Sequence, residues 1–139
     1  MTILEERIEF ACKKVGIYWY PFFMQDGKAV FPSTLNTPAV IQDVNDKWEL
    51  LPNGNIRKTI DFYIFDKRKK EMSPTNIKED IIVKHNNLTN IILQFINELS
   101  KTEFKVYLIG QPYKSQDNMK ILDVGQDFTL TIEYAPCQV

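Results

Sequence analysis

The side chains best suited to metal binding or catalysis are one histidine, two cysteines and a group of aspartates in the first half of the chain. His85 stands beside Lys84, Asn86 and Asn87, with no companions at the spacing that a three- or four-ligand zinc site requires. It is expected on the surface of a helix. Cys12 falls on the apolar stripe of the first helix, where a thiol acts as a small hydrophobe. Cys137 lies two residues from the end, with no base and no orienting group nearby in sequence. Whether the two cysteines pair is left open by the sequence. Asp43, Asp46, Asp61 and Asp66 surround a hairpin without forming a paired-carboxylate motif, and the five glycines follow neither a GxGxxG nor a Walker order. No catalytic residue, metal ligand or cofactor-binding residue is expected.

Two clusters suit contacts better than chemistry. The run Lys67, Arg68, Lys69 and Lys70 is a candidate charged loop or lumen contact, although Asp66 and Glu71 bracket it as they would a solvated loop. Trp19, Tyr20, Phe22 and Phe23, with Phe31 further on, form an aromatic group beside Pro21. Part of that group is expected to complete the core. The remainder is a candidate subunit interface, since aromatics are enriched at such surfaces.

The elements that would carry these residues follow from periodicity. Thr2 with Glu5 fits a capping box, and Leu4, Ile8, Ala11, Cys12 and Val15 recur at helical spacing as far as Gly16. Ile17–Met24 suits an edge strand or an extended arm because Pro21 cannot donate to a ladder. Gln25–Pro38 reads as a long loop or arm, Ala39–Val44 as a short strand, and Lys47–Leu51 with Ile56–Phe65 as a hairpin around Pro52-Asn53-Gly54-Asn55. Apolar residues from Ile77 to Leu99 mark a long helix, with a kink near His85–Asn87 as an option. Lys105–Ile109 reads as a strand ending at Gly110, Gln111–Asp117 as a polar loop, and Met119–Tyr134 as strand signal broken at Gly125. Phe128, Leu130, Ile132 and Tyr134 alternate with polar residues as a half-buried antiparallel strand does.

With 139 residues, 44% of them hydrophobic, the chain is expected to form one domain (1–139) with a real core. Its 17 basic and 18 acidic residues leave no basic excess for sequence-independent attraction to nucleic acid. The start MTILEERIEF is unlike a signal peptide, and no run approaches the roughly 20 apolar residues of a membrane span. An intracellular origin, or a place in a particle made inside a cell, is expected.

The order of short helix, Tyr20-Pro21-Phe22-Phe23, the strand Ile60-Asp61-Phe62-Tyr63-Ile64-Phe65-Asp66, long helix, Asp123-Val124-Gly125 and a final strand into Tyr134-Ala135-Pro136-Cys137 resembles small tail-completion or ring proteins of phages that infect Bacteroidetes, including crAss-like phages. The resemblance spans nearly the whole chain, and it departs from the pattern where Cys137 follows the proline. It implies a tail-terminator-like α+β fold, an antiparallel sheet with the short and the long helix on one face. It further implies a homo-oligomeric ring of six or twelve copies in the virion, at the portal–tail junction or in the tail. Such a ring would stand against neighbouring portal or tail ring proteins, with DNA passing through and no specific binding of it. The alternative from the residues alone is a small intracellular protein-binding module using the aromatic segment 17–31. An enzyme ranks below both.

Overall fold

The computed structural model describes residues 3–22, 36–44, 46–68, 74–117 and 122–136, with Phe22 as backbone only. Thr2, most of the expected loop at 25–38, Phe23, Phe31, Lys69, Lys70 and Cys137 lie outside the described residues. The element order is α1 (Ile3–Val15), β1 (Tyr18–Phe22), β2 (Ala39–Asp43), β3 (Lys47–Leu50), β4 (Ile56–Lys67), α2 (Pro74–Ser100), β5 (Lys105–Gln116) and β6 (Asp123–Tyr134). The fold is α+β: a six-stranded, mostly antiparallel sheet with helices packed on it.

Strands run in the order β1-β2-β4-β6-β5, and β3 pairs with β4 beyond the end of β2. Both β2 and β3 lie along the same side of β4. Gln42 pairs with Phe62 and Lys47 with Thr59, so the two strands follow one another along β4. The parallel β1–β2 pair is the single exception to antiparallel order.

One face of the sheet is the floor of the core. Val40, Ile60, Phe62, Ile64, Phe128, Leu130, Ile132 and Tyr134 point there and meet Leu4, Ile8, Ala11 and Cys12 of α1 with Leu88, Ile92, Phe95 and Leu99 of α2. Phe62 stacks on Phe128 at 5.2 Å, and Phe95 stands edge-on to both. Each such pair adds about 0.5–1.5 kcal/mol beyond the area it buries. Helix α2 runs 27 residues without a break at His85–Asn87. Its buried residues all lie from Leu88 onward, while Ile82 and Val83 in its first half are exposed. Among the described residues no helix is long and apolar enough to cross a membrane.

Two expectations fail at glycines. The strand signal does not break at Gly125: β6 runs through it, because the Tyr63 ring of β4 lies where a Cβ would project. Nor does β5 end at Gly110. It continues to Gln116, and the expected polar loop Gln111–Asp117 is mostly strand. The ladder shifts between Ile109 and Tyr113, where Gly110 at φ 65° supplies the left-handed turn of a bulge.

Candidate assembly surface

The face of the sheet turned away from the helices carries Arg57, Thr59, Asp61, Tyr63 and Phe65 from β4 beside Asp123, Gly125, Asp127, Thr129, Thr131 and Glu133 from β6; Tyr63, Phe65 and Asp123 are buried there. Its lower part is tightly organised. The Tyr63 hydroxyl donates to Asp123 Oδ2 at 2.5 Å, and the Tyr63 and Phe65 rings stack at 5.7 Å. Burial, then the Asp123 hydrogen bond, pushes the Tyr63 phenol far above its ordinary range. Near the middle, a depression of about 260 Å³ is lined by Ile41, Asp43, Asp61, Tyr63, Asp127 and Thr129. Thr129 Oγ1 donates to Asp61 at 2.6 Å. Burial, then the neighbouring Asp61 charge, raises the Asp127 carboxyl above the ordinary aspartate value. Among the described residues no group of three or more His, Cys, Asp or Glu is placed to hold a metal ion.

The remaining reactive groups are quiet. Cys12 is buried, and burial followed by the Glu9 charge pushes its thiol up to about 12. A thiol so far from ionising is a poor nucleophile. His85 is half-buried rather than on the free helix surface. It faces the sheet, its backbone carbonyl accepting from Gln126 Nε2 at 3.0 Å, and burial with the Lys114 charge lowers its pKa.

Of the predicted contact residues that are described, Trp19 and Tyr20 lie together on β1, and Lys67 and Arg68 at the end of β4. Trp19 is half-buried against the core, and its indole N–H donates to Gln42 Oε1 at 2.9 Å. The Tyr20 hydroxyl accepts from the Asn36 N–H at 3.2 Å, and Tyr18 beside it is exposed. Pro21 sits on the outermost strand, as expected. Lys67 and Arg68 are half-buried at the end of β4, where the Arg68 N–H donates to the Leu122 carbonyl.

The surface that sequence reasoning missed is the opposite margin of the sheet. Among the described residues strand β5 pairs with β6 alone, and most residues along it are exposed. Tyr107, Ile109 and Tyr113 are 51%, 49% and 71% exposed, with Leu108 open on the other face. An unpaired strand with apolar side chains is a template for another chain, a hazard that proteins normally blunt. The run Tyr107-Leu108-Ile109, apolar on both faces, was the available signal; it marks either a central strand or an unblunted edge. Among the described residues, strand β3 pairs with β4 alone and offers a second margin. All four of its residues are exposed, with Trp48 at 66% and Leu50 at 67%.

No protein-family model matches this chain, and no curated protein matches it in sequence.

Proposed function

We propose that this chain is a self-associating structural subunit that builds a closed ring of the phage neck or tail kind. The observation that carries the reading is the unpaired β5 margin with its exposed Tyr107, Leu108, Ile109 and Tyr113. Burying such side chains against a neighbour stabilises an assembly by about 25 cal/mol per Å² of apolar surface removed from water. A head-to-tail contact repeated through a fixed rotation closes a ring. Six or twelve copies would stand against neighbouring portal or tail rings in the virion, with DNA passing through the lumen. A net charge of −1 suits a lumen that lets DNA slide without gripping it. The mechanism is architectural: a folded sheet holds the two association margins at a fixed angle.

Electron micrographs of the purified protein at high concentration test this reading. Closed rings with a central hole are expected. Particles no larger than one subunit at every concentration would refute it.

A further inference from the structure

We infer that the margin covering β5 is the β3 edge of the next copy, with Lys105 set against Glu49; this rests on the self-assembly reading and names its junction. Across the face turned away from the helices, Glu49 pairs with Arg57, Arg57 with Glu133, and Glu133 with Lys105, one transverse row over four strands. Charges alternate along it. Arg57 reaches Glu49 at 3.2 Å and Glu133 at 4.0 Å. Lys105 ends the row at one margin and Glu49 at the other, and both side chains are exposed.

Three alternations carry across a junction between copies. The strands β3, β4, β6 and β5 are antiparallel in turn, so β5 meets the next β3 antiparallel as well. Narrow and wide pairs alternate across an antiparallel sheet, and a row of four strands returns the pattern to its starting phase. Charge follows the same period, placing a lysine ammonium beside a carboxylate. One row down, Lys47 meets Tyr107, an ammonium beside an aromatic ring. On the helix side Trp48 comes opposite the half-buried Val106 and within diagonal reach of Leu108, and Trp48 and Leu108 are both exposed in the single chain.

One other pairing of these margins fits less well. A two-fold β5–β5 contact centred on the Ile109–Gly110 bond sets Lys105 against Lys114, like charges opposite each other. The bulge at Gly110 and Pro112, which has no N–H to donate, limits ladder formation to Lys105–Ile109. That is the stretch level with β3.

Cysteine cross-linking tests the register. Directly opposed residues in an antiparallel pair have Cα atoms about 4.5–5.5 Å apart, within the disulfide range. Glu49 and Lys105 of one chain stand three strand spacings apart, about 14 Å, so a bond between cysteines there joins two chains. Glu49→Cys with Lys105→Cys, in a Cys137→Ser background, is expected to oxidise to a ladder of dimers, trimers and larger species. Each single variant gives dimers at most, and Glu49→Cys with Tyr113→Cys gives no ladder. Assembly of parental size without the Glu49–Lys105 link would overturn the strand assignment alone. A monomeric parent at every concentration would overturn the assembly reading with it.

A charge exchange checks the same junction without cysteines. Glu49→Lys and Lys105→Glu should each weaken assembly by up to roughly tenfold, the one charge contact at each junction turned from attraction to repulsion. Mixed one to one they should reassemble, because every junction then joins opposite charges. Two folded variants that fail to recover on mixing would contradict the pairing.

Discussion

Tyr63 and Asp123 are joined by a 2.5 Å hydrogen bond from phenol to carboxylate, with the Tyr63 ring lying over Gly125 between them. Asp123 is fully buried, so the bond sits where water does not compete for it. Tyr63→Phe is expected to cost about 1.5–3 kcal/mol, the range for a hydrogen bond to a charged group. Gly125→Ala drives a methyl group into the ring and should cost about 1–3 kcal/mol through overpacking. Denaturant unfolding of both variants checks this. Wild-type midpoints would show that the ring is not held there.

Trp48 separates folding from association. It is 66% exposed on a margin strand, so Trp48→Ala should change the stability of the single chain by less than about 0.5 kcal/mol. The same change should lower the mass of the assembly at fixed concentration. Thermal unfolding and light scattering on one sample read the two effects, and a large loss of stability with unchanged mass would reverse the assignment.

Stability should respond to pH through two groups with opposite signs. Asp127 has a raised folded-state pKa, so its contribution is complete below the ordinary aspartate range and is lost as pH rises through the folded value. Asp127→Asn should therefore stabilise the protein at pH 7, with the gain shrinking in acid. His85 has a lowered folded-state pKa. Its contribution is complete above the ordinary histidine value of 6.5 and is lost as pH falls from there toward the folded value. In His85→Gln the drop in stability below pH 6.5 should be smaller than in wild type. Parallel pH profiles for variant and wild type would refute either assignment.

Cys12 should be inert in the folded state. With its thiol raised to about 12, a Cys137→Ser protein should react with a disulfide reagent only as fast as the chain unfolds. Labelling at the rate of a free thiol would show that the α1 stripe opens readily.

Much of this architecture was legible in the residues, for physical reasons. The stripe Leu4, Ile8, Ala11 and Cys12 and the alternation Phe128, Leu130, Ile132 and Tyr134 each place one face in the core, and burial is what periodicity records. The second half of β5 was not legible, because residues exposed on both faces leave no alternation to detect. Gly125 looked like a break because its cause, the Tyr63 ring, lies some sixty positions away in sequence. The exposed apolar margin on which the proposed contact rests was not legible for a similar reason. Trp19 stood out by type but turns toward Gln42 and the core, whereas Trp48 and Tyr107 owe their exposure to the ends of a sheet order that only the fold reveals.

The absolute mass of the wild-type protein by light scattering, over a wide concentration series, tests self-association most directly. A rise from one subunit to a fixed multiple, six or twelve for the proposed ring, is the expected result. A mass of 16.3 kDa at every concentration would contradict it.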